Sequence, residues 1–163
     1  MVQISLTLGD ITKFNGDAIV NAANHSLMGG GGVDGAIHHA AGPELNNACV
    51  HLNGCQTGEA KITPGYWLPA KYIIHTVGPV WHGEAADADQ LQNCYRNSLK
   101  VAVKNHCHTV AFPSISTGAY GYPVSAAAKV AITTLRSINA DVDVTIVCFD
   151  KTTLAAYQSA LAN

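Results

Sequence analysis

The hydrophobic and polar positions divide the chain into short apolar runs and longer segments with helical spacing. β-Branched and other apolar residues cluster in the short runs, and Gly, Pro, Asn and Asp separate them. Runs of this kind are typical of strands. They predict strands at Val2–Leu8, Ala18–Val20, Ala60–Thr63, Tyr72–Val77, Thr109–Phe112 and Val142–Phe149.

In the remaining segments, apolar residues recur every three or four positions, as they do along one face of a helix. Asp89–Asn105 is the clearest example, because Leu91, Tyr95 and Leu99 fall on one stripe. The other predicted helices are Val33–Ala41, Glu44–Leu52, Val124–Ile138 and Thr152–Leu161. Alternating strands and helices predict an α/β fold with parallel neighbours in the sheet and helices on both faces. No repeat or linker interrupts residues 1–163, which predicts a single domain.

Four polar segments begin where predicted strands end. They are Gly9-Asp10-Ile11, Asn21–Gly35, Ser114–Gly121 and Cys148-Phe149-Asp150. In sheets with parallel strands, ligands bind outside the carboxyl ends of the strands. If the strand order brings these ends together, we expect the four segments to line one crevice.

The segment Asn21–Gly35 carries the strongest chemical signal. It combines the carboxamides of Asn21 and Asn24, four consecutive glycines and the carboxylate of Asp34. Consecutive glycines cost backbone entropy, but they allow close approach of a ligand and N–H groups that converge on an anion. The segment therefore predicts an anion site beside side chains that act on whatever carries the anion.

A dinucleotide-binding Rossmann site is the alternative for this loop, because Gly30–Gly35 contains a G-x-G-x-x-G pattern. Two observations disfavour it. Gly29 comes nine positions after Val20, whereas the Rossmann turn follows its strand tightly. The acidic residue expected about twenty positions further on is also absent.

The other three segments offer groups with two possible roles each. Ser114–Gly121 supplies hydroxyls and free N–H groups before a helix, so with the glycine loop it suits a diphosphate. Tyr120 either covers that ligand or packs against the protein. Asp10 either caps a turn or accepts a hydrogen bond from an exocyclic amine such as that of adenine. For Phe149, position in the core is favoured over stacking on a base.

Composition excludes several classes of protein. The net charge is −2 and the nine Lys and Arg residues are scattered, which predicts no nucleic-acid partner. No apolar run approaches the roughly 20 residues that span a bilayer. Five dispersed cysteines without a CxxC pair favour a reducing cytoplasm. The clusters around Cys49 and His106 lack zinc spacing, so we expect no metal.

Several motifs together resemble a macrodomain of the MacroD type. They are Gly-Asp-Ile-Thr at 9–12, Ala-Ile-Val-Asn-Ala-Ala-Asn at 18–24, the loop 29–35, Ile-His-Thr-Val-Gly-Pro at 74–79 and the segment 114–121. The resemblance implies a mixed, mostly parallel sheet in a three-layer α/β/α fold. It also implies ADP-ribose binding, hydrolysis of ADP-ribose from modified acidic side chains, deacetylation of O-acetyl-ADP-ribose and no cofactor. We expect a monomer whose partners are ADP-ribose and ADP-ribosylated proteins.

The same resemblance assigns roles to individual residues. Asp34 would be the catalytic carboxylate, and Asn24, supported by Asn21, would hold the distal ribose. Asp10 and the Ile11 backbone would contact the adenine, and Phe149 would lie against it, contrary to the preference above. Two groups of residues would hold the diphosphate: Gly31, Gly32 and Val33 on one side, and Ser116, Thr117, Gly118, Ala119 and Tyr120 on the other.

We hypothesise that a water between a phosphate oxygen and Asp34 is the nucleophile. The main alternative is a module that binds ADP-ribose without turnover. The presence of both Asn24 and Asp34 favours the enzyme. A regulator of an RNA-processing enzyme is a further alternative, which no basic or aromatic surface pattern supports.

Overall fold

The computed structural model describes all 163 residues. Its six strands are β1 (Gln3–Leu8), β2 (Ala18–Ala22), β3 (Ala60–Pro64), β4 (Tyr72–Thr76), β5 (Thr109–Phe112) and β6 (Asp143–Cys148). Its five α-helices are α1 (Gly32–Ala41), α2 (Glu44–Val50), α3 (Ala85–Lys104), α4 (Val124–Ser137) and α5 (Lys151–Ala162). A single 3₁₀ turn, Ile11–Lys13, follows β1. The predicted α/β class is confirmed.

The six strands form one mixed sheet in the order β1-β6-β5-β2-β4-β3. All neighbouring pairs are parallel except β3 and β4, which are antiparallel at the edge. The four polar segments singled out in the sequence follow β1, β6, β5 and β2. Because these strands are consecutive and parallel in the sheet, the segments emerge along the same edge. The condition for a shared crevice is therefore met.

Helices cover both faces of the sheet. Helices α1 and α2 pack on one face over an apolar cluster that includes Ile19, Ile37 and Leu45. Helices α3, α4 and α5 cover the other face over a larger cluster that includes Val20 and Tyr157. Successive residues of β2 alternate between the two clusters, as side chains of a strand buried on both faces must.

Helix α3 begins at Ala85, four residues before its predicted start. A capping box sets this start: the Asp87 carboxylate accepts hydrogen bonds from the backbone N–H groups of His82 (2.8 Å) and Glu84 (3.1 Å). The box lies upstream of the apolar stripe on which the prediction was based. None of the helices is long and apolar enough to cross a membrane.

Candidate functional site

Several glycines at the carboxyl edge of the sheet have open space where a side chain would lie. A Cβ atom added to Gly9, Gly31, Gly32, Gly118 or Gly121 would meet no protein atom within 4 Å, whereas each of the other ten glycines has a neighbour at that distance. The five open glycines lie in the loops after β1, β2 and β5. These loops therefore present bare backbone to the same side of the molecule, where a ligand can approach closely.

Asn24 holds the glycine loop in shape. Its Nδ2 donates to the Gly29 carbonyl at 3.0 Å, and its Oδ1 accepts from Ser26 Oγ (2.8 Å) and from the Leu27 N–H (3.1 Å). The side chain is half-buried. One N–H of the amide stays available, so Asn24 can both order the loop and donate to a ligand.

Asp34 lies in the first turn of α1 and is 5% exposed. Its Oδ1 accepts a hydrogen bond from Asn21 Nδ2 at 2.8 Å. Its Oδ2 makes no hydrogen bond within the chain. This oxygen is not sealed off by the protein and remains accessible to solvent. A Cβ on Gly30 would lie 3.3 Å from Oδ2 and 3.4 Å from Asn24 Nδ2. The free carboxylate oxygen and the Asn24 amide thus converge beside Gly30.

The N-terminus of α1 adds unpaired donors to this part of the crevice. Gly31 is the N-cap residue and offers no side-chain cap. The first N–H groups of the helix, from Gly32, Val33 and Asp34, have no intrahelical acceptor. They are placed to bind an anion, which the helix dipole also favours.

Asn21 is fully buried behind Asp34 rather than exposed in the crevice. Its Nδ2 lies 3.3 Å from Nδ1 of His75, and Nε2 of His75 lies 2.9 Å from Thr63 Oγ1. Asn21 therefore contacts Asp34, and its side chain does not reach the surface at which a ligand would bind. His38 lies one helical turn after Asp34, and its Nε2 is 3.4 Å from Asp34 Oδ1.

Burial of His75 makes the stability of the protein depend on pH. Burial, with a smaller effect of His38, lowers the pKa of His75 to about 3, whereas the unfolded value is about 6.5. Because only the unfolded state takes up this proton between these values, acid favours unfolding there. We expect the free energy of unfolding to fall below pH 6.5, at a limiting slope of about 1.4 kcal/mol per pH unit from this residue.

Urea denaturation at pH 6.5, 5.5 and 4.5 measures this slope. The matched variant is His75→Gln, which lacks the ionisable ring. The difference in slope between the two proteins isolates His75 from the other histidines. Equal slopes would contradict a buried neutral imidazole.

The loop after β5 emerges beside the glycine loop, because β5 and β2 are neighbouring parallel strands. Ser116 has a φ of 67°, and its hydroxyl is enclosed without a partner beside Gly78. Thr117 Oγ1 lies 2.8 Å from Ser114 Oγ, which lies 2.9 Å from the buried hydroxyl of Tyr157 on α5. This connection to the core fixes the loop while Gly118 and Ala119 stay exposed at its tip.

Tyr120 is half-buried at the end of this tip. Its carbonyl accepts the N–H of Trp81 at 2.9 Å, and the Trp81 ring packs on Tyr122 with centroids 4.6 Å apart. The backbone of Tyr120 is therefore held in place while part of its side chain faces solvent. This arrangement suits a side chain that covers a ligand.

Asp10 uses one oxygen as a cap and leaves the other free. Its Oδ1 accepts from Thr12 Oγ1 (2.7 Å) and from the Thr12 N–H (2.9 Å), and these hydrogen bonds lower the pKa of Asp10. Asp10 is exposed and Ile11 is buried beside it. The two roles considered for Asp10 are thus compatible.

Phe149 is 89% exposed, so the preference for a core position was wrong. Strand β6 ends at Cys148, the last buried residue of the run. Asp150 then caps α5 by accepting the Thr153 N–H at 2.8 Å. Phe149 lies between strand and cap, where neither element buries it, and it offers a bare aromatic face at the edge of the crevice.

Sequence reasoning assigned no role to His38, Thr63, His75 or Tyr157. His38 could have been found from its spacing of four residues after Asp34, which places both on one helix face. No local signal marks the other three, because their contacts depend on strand and helix pairing. The structure brings together no three His, Cys, Asp or Glu side chains that could hold a metal ion.

Comparison with known proteins assigns the family. The sequence profile described as "Macro domain" matches residues 20–131, which is more than half of the chain. The chain belongs to the macro domain family. A macro domain-containing protein of Chlorobaculum tepidum is 61% identical over 99% of this macrodomain and 96% of its own length. ADP-ribose glycohydrolase MACROD1 of Bos taurus is 60% identical, over 82% of this chain and 42% of that protein.

Solved structures of other macrodomains have the same fold as this chain. The Oceanobacillus iheyensis macrodomain with ADP matches with a TM-score of 0.92 at 46% identity, over 96% of this macrodomain and 88% of that chain. The Trypanosoma brucei macrodomain in complex with ADP-ribose matches with a TM-score of 0.91 at 43% identity, over 98% and 69% of the two chains. The resemblance stated from the motifs is confirmed at the level of family and fold.

Proposed function

We propose that this macrodomain binds ADP-ribose and hydrolyses its ester bond to acidic side chains of modified proteins. One observation carries the proposal. Open glycine backbone at the start of α1 directly precedes Asp34, whose Oδ1 is fixed by Asn21 and whose Oδ2 is free, and the loops after β1 and β5 add open glycines at the same edge of the sheet. Relatives named ADP-ribose glycohydrolase and a macrodomain solved with ADP-ribose support the choice of ligand.

The diphosphate fits between the two glycine-containing walls. On one side, the uncapped N-terminus of α1 offers the N–H groups of Gly32 and Val33, next to Gly31. On the other side, the tip of the β5–α4 loop offers backbone N–H groups: Ser116, Thr117, Gly118, Ala119 and Tyr120. Neither wall needs a cationic side chain, because oriented N–H groups and a helix dipole suffice for a phosphate.

The two ends of the ligand follow from this placement. Asp10 and Phe149 lie after β1 and β6, so the adenine binds at that end, with its amine on Asp10 and its ring against Phe149. Asn24 lies after β2, so the distal ribose binds there and reaches Asp34. This assignment puts the base and the reactive sugar at opposite ends of one crevice, and the separation of β1 and β2 in the strand order supports it.

The reaction is the attack of water on the anomeric carbon of the distal ribose. The water oxygen bonds to this carbon while the bond to the ester oxygen breaks, and the modified side chain leaves as a carboxylate. The proton lost by the water passes to Asp34 Oδ2 or to a phosphate oxygen of the substrate. General-base assistance contributes about 10²–10⁴-fold, so positioning of the ribose by Asn24 and the loops supplies much of the remaining rate.

The same site suits a second ester. In O-acetyl-ADP-ribose, acetate is esterified to a hydroxyl of the same distal ribose that Asn24 and Asp34 address. We therefore propose that the macrodomain also deacetylates this compound. The free cysteines, all buried, agree with action in the reducing cytoplasm, and we propose that the protein acts there as a monomer.

Incubation with mono-ADP-ribosylated proteins of different linkage tests the proposal. We expect free ADP-ribose from a glutamate- or aspartate-linked substrate, and much less from an arginine-linked one, because its N-glycosidic leaving group is poorer. Single-turnover conditions separate release from binding. Tight binding of ADP-ribose without its release from any acidic linkage would show that the protein is a binding module and not an enzyme.

Phe149→Ala is expected to weaken ADP-ribose binding about tenfold. Stacking of a base on an aromatic ring is worth about 1–3 kcal/mol, and Phe149 has little other contact to lose at 89% exposure. The unfolding temperature is therefore expected to stay unchanged. Isothermal titration calorimetry measures the affinity.

Two further variants control for the loss of an exposed aromatic ring. Phe149→Trp keeps a stacking surface and is expected to keep the affinity. Trp67→Ala removes a ring that is 72% exposed near the C-terminal end of α1, away from the crevice, and is expected to have no effect. Equal affinities of Phe149→Ala and wild type would contradict the placement of the adenine.

A further inference from the structure

A continuous set of hydrogen bonds runs from the edge strand β3 to Asp34. Thr63 Oγ1 lies 2.9 Å from His75 Nε2, His75 Nδ1 lies 3.3 Å from Asn21 Nδ2, and Asn21 Nδ2 lies 2.8 Å from Asp34 Oδ1. The four residues come from β3, β4, β2 and α1, and each is at most 5% exposed. Thr63 and His75 have no part in the binding of ADP-ribose described above.

His75 can carry its single ring proton on either nitrogen. It is neutral at physiological pH, because burial and the nearby His38 lower its pKa to about 3. With the proton on Nε2, His75 donates to the Thr63 hydroxyl oxygen, and its Nδ1 lone pair accepts a hydrogen from Asn21 Nδ2. Each N–H of the Asn21 amide then has an acceptor, one on His75 and one on Asp34.

The other tautomer is incompatible with an ionised Asp34. A proton on Nδ1 would require Asn21 to turn its carbonyl oxygen toward His75. That oxygen would then also face Oδ1 of Asp34, with no proton between the two acceptors. The Asn21 Oδ1 atom is enclosed without a partner in the structure, so only the NH₂ group fixes the amide. The position of one proton on His75 thus decides which way Asn21 points.

We propose that Thr63 and His75 are positioning residues for Asp34, because together they fix the His75 proton on Nε2. Asn21 is then obliged to donate to Asp34 Oδ1, and Oδ2 stays free to accept a proton from water. The proposal rests on the proposed function, in which Asp34 activates that water. It assigns to Thr63 an effect on the rate of hydrolysis and none on ligand affinity.

The variants Thr63→Val and Thr63→Ser test the proposal kinetically. Valine has the shape of threonine without the hydroxyl, whereas serine keeps the hydroxyl. We expect Thr63→Val to lower kcat about tenfold, the effect of losing one buried hydrogen bond. KM and the Kd for ADP-ribose should stay within about twofold, and Thr63→Ser should restore kcat. Equal kcat for wild type and Thr63→Val, or equal loss in both variants, would overturn the proposal.

His75 itself allows a second matched pair. The side-chain oxygen of asparagine can occupy the place of Nδ1 and accept from Asn21, whereas the polar end of glutamine lies near the place of Nε2. We therefore expect His75→Asn to keep more of the wild-type kcat than His75→Gln does, despite the larger volume that asparagine leaves unfilled. The reverse order would contradict the assigned proton position.

Long-range ¹H–¹⁵N NMR of the imidazole distinguishes this proposal from the proposed function. We expect wild-type His75 to show the Nε2–H tautomer alone and Thr63→Val to show a mixture of tautomers. A wild-type Nδ1–H tautomer would overturn the positioning role whatever the activity. If instead the tautomers are as expected and the protein releases no ADP-ribose, the proposed function fails and the hydrogen-bonded arrangement stands.

Discussion

Asp34→Asn is expected to slow release of ADP-ribose from a glutamate-linked substrate by about 10²–10⁴-fold, the usual contribution of a general base. The variant keeps the shape of the side chain, and its carbonyl oxygen can still accept the hydrogen bond from Asn21. Its amide nitrogen takes the place of Oδ2 and cannot accept a proton from water. Because ground-state contacts stay the same, we expect the Kd for ADP-ribose to change by no more than about threefold. Single-turnover release and calorimetry measure the two quantities.

The control variant for Asp34→Asn is Asp150→Asn. Asp150 is a second carboxylate at the same edge of the sheet, but it accepts the Thr153 N–H as the cap of α5. Asparagine caps a helix about as well as aspartate does. Release by Asp150→Asn should therefore equal that of wild type. If Asp34→Asn also releases ADP-ribose at nearly the wild-type rate, Asp34 is not the base.

Gly118→Val is expected to weaken ADP-ribose binding about 100-fold or more without loss of stability. A Cβ at Gly118 meets no protein atom within 4 Å, and its φ lies outside the left-handed region, so the fold can accept the side chain. In the complex, the valine would occupy the space assigned to the diphosphate. Hydrogen bonds to charged groups are worth about 1.5–3 kcal/mol each, so loss of two of them gives the expected factor.

A graded comparison separates steric exclusion from a disturbed loop. Gly118→Ala adds one methyl group to the same open face and should lose less affinity than Gly118→Val. Both variants should unfold at the wild-type temperature in a thermal melt. Wild-type affinity in Gly118→Val would mean that the diphosphate does not lie against this loop.

Much of the fold could be predicted because the inner strands of the sheet are buried on both faces. Its strands are short apolar runs bounded by turn residues, and the helices between them carry an apolar face. The start of α3 could not be predicted from that face, because the capping box of Glu84 and Asp87 lies outside it. The strand order depends on contacts between segments that are distant in sequence, such as β1 with β6 and β2 with β5, which local patterns do not contain.

The candidate site was predictable where backbone chemistry marks it. Consecutive glycines beside Asp34 lose much backbone entropy on folding, which indicates a function for the loop. In the structure they lie at the carboxyl edge of the sheet. Phe149 was misplaced because an aromatic residue at the end of an apolar run has the same pattern whether it is buried or not. The support of Asp34 by Thr63 and His75 could not be predicted, because it depends on the pairing of β4 with β2, whose residues His75 and Asn21 lie 54 positions apart in the sequence.

A crystal structure of the wild-type protein with ADP-ribose tests the central claim most directly, namely that the crevice holds the diphosphate and brings the distal ribose to Asp34. The predicted result is a diphosphate bound by the N-terminus of α1 and the tip of the β5–α4 loop. The anomeric carbon should lie within about 3.5 Å of a water that is hydrogen-bonded to Asp34 Oδ2. ADP-ribose bound with its distal ribose turned away from Asp34, or bound outside this crevice, would contradict the claim.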